Sequence, residues 1–326
     1  MLSTHVLDID AAAVTREICD ATVRQVRGEL RRSGMVVGLS GGIDSSVVAA
    51  LAVRALGPDR VLALLMPDRA SADASLRLGR IMAETLGVPA IVEEIAPTLE
   101  AIGCYARQTA AIRMVFPDHV EGDPFKIVLP SILSTDRLNV ARLTARNAAG
   151  QERSARMARE PYLQLVAATN FKQRTRKMLE YYHADRLHYA VAGTPNRLEY
   201  DQGFFVKQGD GAADVKPIAH LYKTQVYALA AHLGVPEDIR RRPPTTDTFP
   251  MEQTQEEFYF SLPYDKMDLC LYAVNHGVSP SEAAPVVGLT PGQVERVFRD
   301  IEQKRRATRY LHAYPLLVTD VPEVEH

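Results

Sequence analysis

The 326-residue sequence predicts an α/β fold, a doubly wound parallel sheet covered by helices, with a helical C-terminal region and an inserted lid-like segment. Short, continuously apolar runs recur through the first half, which is how strands buried on both faces read. Longer amphipathic patterns alternate with them and end at Gly or Gly-Pro stops. Past residue 250 the strand signals cease and helical patterns take over, so 1–250 is read as the α/β domain and 251–326 as the helical region that completes it.

Residues 12–32 read as an amphipathic helix and MVVGLS (35–40) as the first strand. A helix over 44–56 stops at Gly57 and Pro58, and VLALLM (61–66) is the second strand. A helix over 72–86, stopped by Gly87, leads to a third strand, AIVEEI (90–95). The rhythm then breaks: 97–168 holds Pro117, Pro124 and Pro130 and an Arg-rich stretch, and reads as an insertion or lid instead of another sheet unit. A helix over 170–182, a strand HYAVAG (188–193) and a helix over 222–233 follow. The last helices are expected over 264–275, 280–287 and 291–306.

A composition 46% hydrophobic and 24% charged is that of a globular chain with ample core. No apolar run approaches the roughly 20 residues needed to span a bilayer, and the N-terminus lacks a targeting pattern, so a cytosolic protein is expected. Cys19, Cys104 and Cys270 are dispersed and fit neither a disulfide framework nor a cysteine zinc site. With 38 basic against 40 acidic residues, the balance argues against a general nucleic-acid binder. Charge is nonetheless uneven. Ten basic and three acidic residues lie between Arg137 and Glu180, a surface for an anionic ligand or else a solvated face.

The strongest local signal is GLSGGIDSS, 38–46, between a strand and a helix. Gly41 and Gly42 let the backbone approach a ligand, Ser40, Ser45 and Ser46 supply hydroxyls, and the helix N-terminus points its N–H groups at the same place. This is a phosphate cradle, but neither GxxxxGK[ST] nor GxGxxG is present. Asp44 would repel phosphate unless a magnesium ion stood between them, which makes it a metal candidate as well as a helix cap.

SGGIDSS resembles the loop of the N-type ATP pyrophosphatases, whose members activate a carbonyl or carboxyl oxygen with AMP and release pyrophosphate. NFKQRTR (170–176), GTPNRLE (193–199), GFFVKQGDGAAD (203–214), KPIAHLYKTQV (216–226), PTTD (244–247) and QTQEE...YDKMD (253–268) follow in an order that resembles the NAD synthetases, from about residue 12 to 306. The resemblance implies the adenine-nucleotide alpha-hydrolase type of sheet. It places ATP on Gly38, Leu39, Ser40, Gly41, Gly42, Ile43, Asp44, Ser45, Thr194, Lys223 and Thr245, and Mg2+ on Asp44 and Glu199. It places the nicotinate dinucleotide, or another carboxylate substrate, on Arg174, Lys207, Asp214 and Lys304. Asp44 and Lys223 are the catalytic candidates. Two carboxylates flanking a triphosphate can share divalent ions that neutralise the leaving pyrophosphate, and Lys223 would add a point charge to the same oxygens.

The implied reaction adenylates the carboxylate of nicotinic acid adenine dinucleotide, and ammonia then displaces AMP. A homodimer is implied by the resemblance as well. About 34 residues precede the first strand, too few for a fused glutaminase, so free ammonia or a separate glutaminase is the expected nitrogen source. The sequence departs from the family pattern at Pro195, Val206, Gln303 and the long 97–168 segment, all near the acid side, which leaves room for a specialised relative acting on a different carboxylate. An RNA thiolase would need reactive cysteines that three dispersed ones do not supply. Residues 279–301 resemble a helix-turn-helix, but Glu295, Asp300 and Glu302 deny it a basic reading face.

Overall fold

The computed structural model describes residues 2–71, 73–128, 141–244, 249–251, 253–260 and 262–324. Its centre is a four-stranded parallel sheet formed by β1 (Met35–Gly38), β2 (Val61–Leu65), β3 (Ala90–Val92) and a strand near mid-chain, β7 (Ala190–Ala192), in the order β3-β2-β1-β7. Alternate side chains leave the sheet on opposite faces. Met35, Val37 and Ala63 enter one core with helices α1 (Ala11–Val23), α2 (Ile43–Leu56) and α8 (Lys223–His232). Val36, Leu62, Leu64 and Val191 enter another with α4 (Ala96–Ala101), α5 (Cys104–Arg113) and α6 (Arg159–Leu187). β1, β2 and β7 are therefore covered on both faces and read as continuous apolar runs for that reason, while the edge strand β3 stays exposed at Ala90 and Val92. α3 (Asp73–Leu86) links β2 to β3.

The 97–168 stretch adds no strand to the parallel sheet, as an insertion should, but it has a sheet of its own that the reading did not include. It carries α4, α5 and a three-stranded antiparallel sheet of β4 (Phe125–Val128), β5 (Arg142–Arg146) and β6 (Glu152–Arg156), with order β4-β5-β6. The inward positions Phe125, Ile127, Leu143 and Ala145 are buried against α5 and the start of α6. Arg142, Arg146 and Arg156 take outward positions, so the strands look like solvated chain in sequence. Residues 129–140, Arg137 among them, lie outside the described residues. α6 itself starts near the end of the insertion and spans 29 residues, far more than the 170–182 expected.

The C-terminal helices α10 (Tyr264–Asn275), α11 (Pro280–Val287) and α12 (Pro291–His312) share one core with Leu198 of α7 (Arg197–Gln202) and with Tyr222. Val294, Val297 and Ile301 are fully buried there, so the would-be reading helix has its apolar face packed internally. Ser279 and Thr290 each close a capping box at the start of α11 and α12. α12 continues six residues past the expected end at 306, because no Gly or Pro interrupts RRATRYLH. Among the described residues no helix is long and apolar enough to cross a membrane.

Candidate active site

β1 and β7 are neighbours whose following loops lead to α2 and α7, the position in an open α/β sheet where a crevice forms beyond the strand ends. A cavity of about 700 Å³ opens there. Its floor is the glycine-rich loop. Gly41 has φ +73°, and a Cβ on it would collide with the Ser75 carbonyl of α3, so only glycine lets α3 close over the loop. Ser45 Oγ donates to Gly42 O at 3.1 Å and sits 3.1 Å from Ser40 Oγ, while Ser46 Oγ donates to Gly42 O at 2.8 Å, so hydroxyls fix the turn. Gly38, Leu39, Ser40, Gly42, Ile43, Asp44 and Ser45 all line the cavity, as does Thr194. Thr245 lies outside the described residues.

Asp44, in the first turn of α2, joins the two loops. Asn196 Nδ2 donates to its Oδ1 at 3.0 Å, and Lys223 Nζ pairs with its Oδ2. Asn196 also caps α7 reciprocally with Glu199: Glu199 N donates to Asn196 Oδ1 at 3.2 Å, and Asn196 N donates to Glu199 Oε2 at 3.1 Å. Glu199 and Asp44 thus face the cavity together. Burial and the neighbouring Asp44 charge push the Glu199 carboxyl well above the ordinary range, against the pull of Lys223.

Lys223, expected from the sequence as a point charge on the phosphates, is not among the residues that line the cavity. Its side chain is fully buried and committed to Asp44. Burial alone would lower its pKa, but the Asp44 and Glu199 carboxylates outweigh it and hold the ammonium charged. Asp268 fixes the backbone beneath, accepting from Lys223 N at 3.2 Å and Thr224 N at 2.7 Å. In this arrangement Lys223 acts through Asp44.

The opposite wall belongs to α6. Lys172, Gln173, Arg174 and Arg176 line the cavity, with Arg242 nearby. Lys172 is only 2% exposed and pairs with the buried Asp68 at 3.0 Å; Arg176 lies 3.8 Å from the same carboxylate and donates to Met66 O at 3.1 Å. Burial opposes ionisation of Asp68, yet these two cations keep its pKa below the usual carboxylate value. The basic stretch is therefore in part an internal ion-pair network and not a solvated face. Phe204, Phe249, Phe258 and Tyr259 form an aromatic wall, Phe204 and Tyr259 stacking at 4.7 Å.

Of the four residues assigned to the acid, Arg174 and Lys207 line the cavity. Asp214 and Lys304 do not. Asp214 accepts from Val191 N at 2.7 Å and Tyr181 OH at 3.2 Å, bracing the end of β7. Lys304 is buried against Asp300 at 2.7 Å and donates to Tyr259 O at 2.7 Å, behind the aromatic wall. Asn196, Lys172, Asp68 and Asp210 escaped the sequence reading as site residues. Asn196, Lys172 and Asp210 stood inside quoted motifs without a role of their own; Asp68 lay outside them, and Asp68 and Lys172 gain their roles from each other, remote in sequence. Cys104 and Cys270 are buried thiols, and the described cysteines form no disulfide.

Two carboxylates beside a phosphate loop, with cations and aromatic rings opposite, suit a nucleoside triphosphate held against a second anionic, ring-bearing ligand. The family model for NAD synthase matches residues 14–116 and 137–310. The NH(3)-dependent NAD(+) synthetase of Mesorhizobium japonicum is 60% identical over 317 residues, covering 97% of this chain and 99% of that protein. That of Rhizobium meliloti is 59% identical over 325 residues, with 100% and 97% covered. Among solved structures, NMN synthetase from Francisella tularensis shares the fold at TM-score 0.64 and 22% identity over 95% of this chain and 99% of that one. NH3-dependent NAD synthetase from Campylobacter jejuni does so at 0.63 and 23%, over 95% and 100%. From its loop and paired carboxylates to its full-length likeness to these relatives, the chain belongs to the NAD synthase family.

Proposed function

We propose that this enzyme converts nicotinic acid adenine dinucleotide, ATP and ammonia into NAD, AMP and pyrophosphate through an acyl-adenylate. The observation that carries the proposal is the Asp44–Asn196–Glu199 junction, which sets two carboxylates beside the phosphate loop and opposite a basic wall.

Asp44 and Glu199 fit Mg2+, which favours one or two carboxylates completed by substrate phosphates and water; the buried like-charge pair is a donor set that a dication would satisfy. When bound there, Mg2+ would neutralise the charge of the departing pyrophosphate. The loop N–H groups and hydroxyls hold the triphosphate, and Lys223 keeps Asp44 oriented. Arg174 and Lys207 hold the acid with its carboxylate in reach of the α-phosphorus, where it acts as the nucleophile. One carboxylate oxygen bonds to phosphorus as the bond to pyrophosphate breaks. Ammonia then adds to the activated carbonyl, and AMP leaves with that oxygen. The curated relatives carry ammonia dependence in their names, which supports free ammonia as nitrogen donor. The homodimer is proposed on the family resemblance alone, since Asp214 and Lys304 are held by partners within the chain.

The test is AMP release with ammonium across a panel of carboxylates. Preference for nicotinic acid adenine dinucleotide supports the proposal. AMP release on another acid with no NAD formed overturns it in favour of a specialised amide ligase, and would assign that shift to Pro195 and Val206, the departures that line the cavity.

A further inference from the structure

Lys207 is a half-exposed cavity cation whose ammonium is held by backbone carbonyls. Its Nζ donates to Tyr310 O at 2.7 Å and to Ala313 O at 2.8 Å, and lies 4.5 Å from the Tyr310 ring centroid. The first is a last-turn carbonyl of α12, which also accepts from Ala313 N at 3.2 Å, and the second belongs to the residue that caps the helix; both lie at its negative end. An ammonium has three N–H donors, so two are occupied and one remains for a ligand.

The end of α12 is itself held in place. Arg305 grips Asp201 of α7 with Nε at 2.6 Å and Nη2 at 2.7 Å. His312 meets the rings of Tyr200 and Phe205 edge-on at 4.9 and 5.1 Å. Thr308 packs where a side chain on Gly203 would have to be. Thr308, Tyr310 and Leu311 then line the cavity beside Lys207, and Arg174 Nε donates to Lys207 O at 3.3 Å. These contacts exist because the helix runs on to His312.

We infer that the end of α12 and its cap, Tyr310 to Ala313, is a positioning element for the acid substrate: its carbonyls fix the Lys207 ammonium on the cavity wall with one donor left for the anionic group of the acid. The inference rests on the assignment of Lys207 to the acid. Without the turn, Lys207 becomes a mobile side chain that must be ordered at each binding event, and the loss falls on the acid and spares ATP, whose loop lies across the cavity.

Two shortened chains and two full-length variants separate the possibilities by steady-state KM for each substrate. A chain ending at Arg309, which lacks both carbonyls, raises KM for nicotinic acid adenine dinucleotide about tenfold or more and leaves KM for ATP within about twofold. A chain ending at Tyr314, which keeps both carbonyls, behaves like the parent. Lys207→Ala raises KM for the acid at least as much as the Arg309 truncation. In full-length protein, Tyr310→Ala removes only the ring contact and gives a smaller rise in the same KM, which keeps the test open if the shorter chain fails to fold. An unchanged or lowered acid KM in the Arg309 chain, or an equal defect in the Tyr314 chain, overturns the inference; so does an unchanged acid KM in Tyr310→Ala when the Arg309 chain does not fold. An unchanged acid KM in Lys207→Ala overturns the assignment of Lys207 itself.

Discussion

Replacing Lys223 with methionine keeps the volume of the side chain and deletes its charge. Asp44 and Glu199 then face each other with the Asn196 side-chain amide and backbone N–H still donating to them. Removing one partner of a buried ion pair costs roughly 3–5 kcal/mol, and because the Asp44 side chain is 16% exposed at the cavity edge, about 3 kcal/mol is the expected figure. At about 2–3 °C per kcal/mol this lowers Tm by roughly 6–9 °C near pH 8 without metal. Glu199 already titrates above its unfolded value, so its contribution to stability is complete below the unfolded pKa and is lost as pH rises through the folded one. Loss of Lys223 moves that folded value higher, and the Lys223→Met defect therefore shrinks on acidification. Millimolar Mg2+ should restore more Tm to Lys223→Met than to the parent, by taking over the charge the lysine balanced. Thermal unfolding of both proteins at several pH values, with and without Mg2+, reads all three effects. An unchanged Tm near pH 8, or an equal Mg2+ gain in both proteins, would refute the claim that Lys223 works by holding Asp44.

Glu199→Gln and Asp44→Asn should each abolish turnover while circular dichroism shows an intact fold; parental activity in either would remove that residue from the proposed metal site. Gly41→Ala forces a side chain into positive φ and onto the Ser75 carbonyl, so it should cost about 2 kcal/mol or more and raise KM for ATP, as denaturant titration and kinetics would show. Burial pushes Asp268 up to about 6, so its contribution is full below its unfolded pKa and lost as pH rises through the folded value. Relative to Asp268→Asn, the parent should lose on the order of 3 kcal/mol between about pH 4 and pH 7, and a pH-independent difference in denaturant titrations would contradict the burial of that carboxylate.

The parallel sheet was legible because burial on both faces leaves its strands no polar positions, as in VLALL. α10 and α11 match their expected limits to the residue, since Pro263, Ser279 and Gly288 mark their ends in the chain itself. The insertion sheet was not legible: its strands are four or five residues long, and arginines on the outer face mask the alternation. Within the site, the phosphate loop announces itself because its glycines and hydroxyls are contiguous. Lys223 does not, because the partner that turns a helix-surface lysine into a buried one lies 179 residues away. Lys172 and Asp68 escape for the same reason, and Lys207 reads as a substrate cation without any sign of the helix end that holds it.

Activation of the acid by adenylation at the Asp44–Glu199 junction is open to oxygen tracing. Nicotinic acid adenine dinucleotide labelled with 18O in its nicotinate carboxylate is turned over with ATP and ammonium, and the products are weighed by mass spectrometry. The account predicts NAD, AMP and pyrophosphate in equal amounts, with one labelled oxygen in each AMP phosphate. Label in orthophosphate with ADP as coproduct, or unlabelled AMP, would contradict it.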